Sequence, residues 1–188
     1  MNRRELLKRI ALLTGGVMIG AEAILSGCAR KGQTASFTDD DVNLLAEIAD
    51  TILPATQTPG AKEAGVGTFM TVMVNDCYKE KDQKIFHEGL ATLNETCKKQ
   101  TGKEFLKADA AQRQSFLKTL DEEARDYAKK KKAEEPAHFF TMMKQLTLLG
   151  YFTSELGRTK ALRYLPVPGR YDGCADYKKG DRIQTGLG

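Results

Sequence analysis

The chain has 188 residues, 41% hydrophobic and 29% charged, with 29 Lys and Arg against 25 Asp and Glu for a net charge of +4. Four of those basic and two of those acidic side chains fall within the first 27 residues, so the remainder is closer still to neutrality and lacks the basic footprint of a nucleic-acid-binding protein. Four cysteines with no Cys-x-x-Cys or Cys-x-x-Cys-His spacing exclude a thioredoxin-like site, a zinc ribbon and covalently attached c-type haem.

The N-terminus is ordered as a secretory leader: a basic region (Arg3, Arg4, Lys8, Arg9), an apolar stretch from Ile10 to Leu25, then small residues. Arg3 and Arg4, within Asn2-Arg3-Arg4-Glu5-Leu6-Leu7-Lys8, resemble the twin-arginine motif, which marks a route for cargo already folded; a general secretory leader can also begin with two arginines. Leu25-Ser26-Gly27-Cys28 matches a bacterial lipobox, in which the cysteine thiol receives diacylglycerol and becomes the new N-terminus. The competing reading is a short transmembrane anchor, but Gly15, Gly16, Gly20, Gly27 and Glu22 suit a span poorly when roughly 20 apolar residues are needed. The expectation is a signal peptide over 1–27, a lipid-anchored tether over 28–37, a helical domain over 38–162 and an extended tail over 163–188, on the periplasmic side of a bacterial membrane.

Thr38 and Asp41 have capping-box spacing, and Val42, Leu45, Ile48, Ala49, Ile52 and Leu53 recur at helical intervals until Pro54. Asp39-Asp40-Asp41 could suggest calcium, yet acids in a first turn are what the helix dipole favours. After Thr58-Pro59-Gly60, a second apolar face runs Val66, Phe69, Met70, Met73, Val74, Cys77, and a third runs Phe86, Leu90, Leu93, Cys97. Both cysteines thus sit on apolar stripes, where a buried thiol is the default. If these helices form a hairpin turning near Lys81, Cys77 faces the region of His87 and Cys97 lies about 15 Å further along, which disfavours a disulfide between them.

A long amphipathic stretch from Asp109 to Lys132 carries Phe116, Leu117, Leu120, Ala124 and Tyr127 and ends in four lysines, which complement the dipole at a helix C-terminus without invoking membrane or nucleic acid. Pro136 suits the first turn of the next helix, which runs through His138, Phe139, Phe140, Met142, Met143, Leu146, Leu148, Leu149, Tyr151 and Phe152 and is apolar nearly all round. Such a helix is central to its own domain or shared with another protein. Arg163 to Cys174, with Pro166 and Pro168, reads as extended. The fold class is all-α: a single helical bundle-like domain with an extended, proline-rich C-terminal tail.

No Gly-x-Ser-x-Gly elbow, Walker A loop or His-Glu-x-x-His occurs. Gly65-Val66-Gly67 lacks the third glycine of a dinucleotide fingerprint. His87 and His138 have no second ligand at i+3 or i+4, and structural roles are the expectation for both. No catalytic, cofactor-binding or metal-binding residue is assigned. A signal for folded cargo on a chain without a cofactor site implies a cofactor-bearing partner that travels with it.

The residues Thr58-Pro59-Gly60-Ala61-Lys62-Glu63-Ala64-Gly65-Val66, together with Gly150-Tyr151-Phe152-Thr153-Ser154-Glu155-Leu156-Gly157 and Tyr164-Leu165-Pro166-Val167-Pro168-Gly169-Arg170-Tyr171-Asp172-Gly173-Cys174, resemble the small-subunit family of membrane-bound gluconate 2-dehydrogenase, its subunit 3. The resemblance covers about Thr38 to Cys174. It implies a cofactor-free helical gamma subunit bound to an FAD-dependent dehydrogenase of the glucose-methanol-choline type, supplying the export signal and helping that partner mature, while a cytochrome c or other acceptor takes the electrons. The lipobox departs from the simplest version and would add membrane anchoring. Tyr151, Phe152, Tyr164, Leu165, Pro166, Pro168 and Tyr171 are the expected partner interface, with packing of the tail on its own bundle as the alternative. Cys174 is the candidate for an intersubunit disulfide, a free thiol or a bond to Cys77 or Cys97 remaining open. A stand-alone sugar-acting enzyme and a structural lipoprotein are the rival readings.

Overall fold

In a computed structural model of the chain, residues 36–167, 169, 173, 174 and 176–185 are described; Arg3, Arg4, Cys28, Pro168 and Tyr171 lie outside them. The described part is all-α. Five α-helices form one bundle: α1 (Asp39–Ile52), α2 (Val66–Cys77), α3 (Glu80–Thr101), α4 (Ala110–Lys130) and α5 (Phe139–Thr153). A 3₁₀ turn (Phe105–Lys107) joins α3 to α4, and a π-helical turn (Gly157–Ala161) follows α5.

The helix starts follow local chemistry. Thr38 caps α1 in a full capping box, its Oγ1 accepting from the Asp41 amide at 3.2 Å while Asp41 accepts from the Thr38 amide at 2.9 Å. Asp109 and Gln112 repeat the arrangement at α4. Such caps contribute about 1 kcal/mol each. Asp39, Asp40 and Asp41 occupy the first turn of α1, where the dipole favours them. Gly65, at φ 71°, lets the chain enter α2 through a left-handed conformation that a β-carbon would disfavour.

Phe86, Phe105, Phe116, Phe140, Leu45, Ile48, Met70, Leu93 and Met143 are the largest fully buried apolar side chains. Burial of each contributes roughly 1.5–3 kcal/mol. α5 packs against all four other helices, so the helix that is apolar all round is the central one. Glycines permit close helix approaches at two of these contacts. A β-carbon on Gly67 would stand 2.7 Å from the Val42 carbonyl oxygen of α1, and one on Gly89 would overlap the Phe139 ring of α5.

Three expectations are corrected. Pro136 is not in the first turn of α5: His138 is extended and serves as N-cap, and the Pro136 carbonyl instead accepts from the Tyr127 hydroxyl at 3.2 Å. Cys77 is exposed although it continues the α2 stripe, because the chain leaves the helix at Tyr78 and the thiol stands at the rim of the bundle; Cys97 is buried as expected, with its Sγ 3.6 Å from Thr101 Oγ1. The segment after residue 162 does not run out as an extended strand. Strand β1 (Arg163–Tyr164) pairs in parallel with β2 (Gln184–Thr185), the amides of Arg163 and Leu165 donating to the carbonyls of Ile183 and Thr185 at 3.0 and 2.9 Å. Backbone donors ahead of Pro166 thus find partners within the chain.

Candidate functional site: an apolar docking surface

α5 buries Phe140, Met142, Met143, Leu146, Thr147, Gly150 and Tyr151. The side left over carries Leu148, Leu149 and Phe152, which are 41%, 46% and 37% exposed. Positions 148, 149 and 152 fall within one helical turn of each other, so the three side chains form one stripe. The stripe stands on a rigid base. A β-carbon on Gly150 would lie 2.6 Å from the Phe69 ring of α2, and the Tyr151 hydroxyl donates to the Pro59 carbonyl at 2.7 Å.

The end of α5 is equally tied. Ser154 Oγ donates to the Tyr151 carbonyl at 2.7 Å and accepts from the Gly157 amide at 3.0 Å, and Gly157 is so close to the Tyr151 carbonyl that no side chain fits there. The π-helical turn then sets the Arg158 guanidinium 5.4 Å from the centre of the Tyr164 ring, a cation–π geometry. Tyr164 is exposed, Leu165 half-buried, Pro166 exposed, and Val167 is 78% exposed. Further along, Arg163, Asp176, Tyr177, Asp181, Arg182 and Ile183 border an open cleft of about 670 Å³.

The expected interface residues therefore divide. Phe152, Tyr164, Leu165 and Pro166 reach the surface in varying degree. Tyr151 is 4% exposed and acts as an internal tie between α5 and the loop before α2. Cys174 is exposed. Leu148 and Leu149 complete the stripe; their apolar character in a helix without a polar side was the available signal, but periodicity cannot say which side four neighbours leave open.

A polar cluster that motif reading missed lies between α1 and α4. Arg113 donates to Glu47 Oε2 at 2.6 Å and to the carbonyls of Phe105, Leu106 and Ala108 at 2.9, 2.7 and 3.0 Å, while Lys62 pairs with the other Glu47 oxygen. The hydrogen bond from Lys62, with the charges of Lys62 and Arg113, holds the Glu47 carboxyl below its usual 4.5 against a smaller opposing effect of burial. A cleft of about 420 Å³ lies beside it, lined by Glu47, Asp50, Thr51, Ala110 and Arg113. Each of the three Arg113 guanidinium nitrogens donates to an acceptor within the chain, which suits fastening the 3₁₀ turn to α1. Among the described residues there is no group of three or more His, Cys, Asp or Glu placed to hold a metal, and no helix is long and apolar enough to cross a membrane.

A family model described as Gluconate 2-dehydrogenase subunit 3 matches residues 39–169, which takes in all five helices and the start of the tail. No curated protein and no solved structure matches.

Proposed function

Because the chain belongs to the gluconate 2-dehydrogenase subunit 3 family, an accessory subunit of a dehydrogenase complex, we propose that it is the non-catalytic small subunit of a membrane-associated, FAD-dependent sugar or sugar-acid dehydrogenase. In this reading Arg3 and Arg4 supply an export signal for both subunits, Cys28 anchors the assembly by its lipid, and the folded domain docks on the catalytic subunit and stabilises it. FAD belongs to that partner, and a cytochrome c subunit is the natural electron acceptor. In the same reading Cys174, exposed at the surface, is the candidate for a disulfide to the partner.

The observation that carries the proposal is the exposed stripe of Leu148, Leu149 and Phe152 on the central helix. A helix that organises the core has no internal need for three large apolar side chains partly in water, each of which, being a little under half exposed, would gain roughly 1 kcal/mol on full burial. Aromatic and aliphatic anchors of this kind dominate the energetics of subunit interfaces.

The test is purification of the tagged full chain from its native membrane. A copurifying flavoprotein, with flavin absorption and dye-reducing sugar dehydrogenase activity, is the expected result. Sugar turnover by the isolated chain, or its recovery alone from intact membranes, contradicts the proposal.

A further inference from the structure

His138 closes the N-terminal end of α5. Its backbone is extended (φ −62°, ψ 140°), and its Nδ1 accepts the Phe140 amide hydrogen at 3.2 Å. The imidazole lies 4.6 Å from the Phe139 ring and 5.8 Å from the Tyr127 ring. α1 and α4 are capped by oxygens of Thr38 and Asp109, which accept hydrogen bonds throughout the neutral range. α5 instead relies on an imidazole nitrogen, which accepts only while unprotonated.

Protonation would act twice in the same direction. Nδ1 becomes a donor facing the Phe140 donor, and a positive charge appears at the positive end of the helix dipole. The turn held by this cap is where α5 seats on α3: Phe139 fills the space above Gly89, and Phe140 is buried in the core.

We propose that His138 is a proton-operated latch: with a neutral imidazole the first turn of α5 is capped and seated on α3 at Gly89, and with a protonated one that turn frays. The groups around the ring allow this. Burial pushes the imidazole below its ordinary 6.5, and Glu123 on α4 opposes that effect without cancelling it. The first turn of α5 has no acidic residue, and Gly89 brings no side chain. Glu135 in the preceding loop is engaged by the Lys132 amide at 3.1 Å, and the Tyr127 hydroxyl donates to the Pro136 carbonyl at 3.2 Å. The latch stands on these contacts and does not depend on the functional proposal above.

The experiment compares amide hydrogen exchange, corrected for intrinsic rates, in the full chain and its His138→Asn variant between pH 7.5 and 5. Asparagine caps a helix equally well without titrating in this range. In the parent, protection at Phe140–Met142 should fall roughly five- to tenfold as the pH drops, the equivalent of losing about one cap. In His138→Asn it should stay level. An equal fall in both overturns the latch. If the variant does not fold, NMR titration of His138 in the parent decides: a pKa at or above 6.5 overturns the proposal, and one below it with a coincident shift of the Phe140 amide supports it.

Discussion

The hydroxyl of Tyr151 donates to the carbonyl of Pro59 across a sequence separation of 92 residues, at 2.7 Å. It fastens the last turn of α5 to the loop in which Gly60 and Ala61 are buried, and that loop in turn is held to α1 by the Ala61 amide, which donates to the Leu53 carbonyl at 3.0 Å. Tyr151→Phe keeps the ring and removes the donor, leaving a partly buried carbonyl without that partner. A loss of about 1–2 kcal/mol is expected, read as a lower urea midpoint at unchanged slope; no shift would mean that water replaces the hydroxyl at no cost.

Gly89→Ala sets two effects against each other. Alanine gains about 1 kcal/mol of helix propensity, but its β-carbon would overlap the Phe139 ring, which cannot withdraw without opening the α3–α5 contact. Overpacking of this kind costs typically 1–3 kcal/mol, so the net change is destabilising. Gly102→Ala is the companion control: open space surrounds its β-carbon position, and φ 79° makes the penalty purely conformational. Thermal unfolding should show Gly89→Ala as the lower of the two, and regain of stability in Gly89→Ala combined with Phe139→Leu would locate the strain in that ring.

These two contacts also mark how far the sequence could be read. The cap of α1 was legible because Thr38 and Asp41 act within one turn, and the centrality of α5 because its apolar character has no gap. An isolated glycine inside a helical pattern, such as Gly89, is itself a sign of close approach, although the partner ring lies 50 positions away. Tyr151 and Phe152 are adjacent and equally apolar; only the placement of α2 and the Pro59 loop makes one an internal tie and the other a surface group. The pairing of Arg163–Tyr164 with Gln184–Thr185 is non-local, and the prolines between them suggested extension without revealing the return. The helix begins at Phe139, three residues later than Pro136 at the first helical position would place it, with His138 as its cap, since an imidazole acceptor is not among the usual capping groups.

Leu149→Asp and Phe152→Asp test the stripe. Both side chains are more than a third exposed, so each substitution should change the stability of the isolated chain by no more than about 0.5–1 kcal/mol. Binding to the catalytic subunit should nevertheless fall by tenfold or more, the scale of a lost interface anchor worth at least about 1.4 kcal/mol. Copurification and isothermal titration measure it. Full-strength binding by both variants would move the interface to another face.

Cys28→Ala separates anchoring from assembly. Under the proposed lipid anchor at Cys28, the complex should appear in the soluble envelope fraction with its subunits still associated, because the proposed docking stripe lies on α5. Replacement of Arg3 and Arg4 by Lys should hold both this chain and its partner in the cytoplasm, as seen by fractionation. Export of the partner in that background would contradict a shared signal.

Acid should weaken the fold in two separate windows. Burial holds His87 and His138 below 6.5, with Asp41 and Glu123 respectively working against it. The folded chain therefore binds fewer protons than the unfolded one in this range, and stability falls as the pH drops from about 6.5 toward the lower folded values. Glu47 and Asp121 are also held low, first by the hydrogen bonds from Lys62 and Lys144 respectively. Their contribution is present above their ordinary values of 4.5 and 3.8 and disappears only as the pH falls through the folded values beneath them. Urea midpoints measured from pH 8 to 3 should thus decline in two legs. A chain carrying His87→Gln and His138→Asn should lose the upper leg and keep the lower, whereas Glu47→Gln should reduce the lower alone. An upper leg that survives removal of both histidines would place the proton uptake on another group and break the connection between the α5 cap and acid sensitivity.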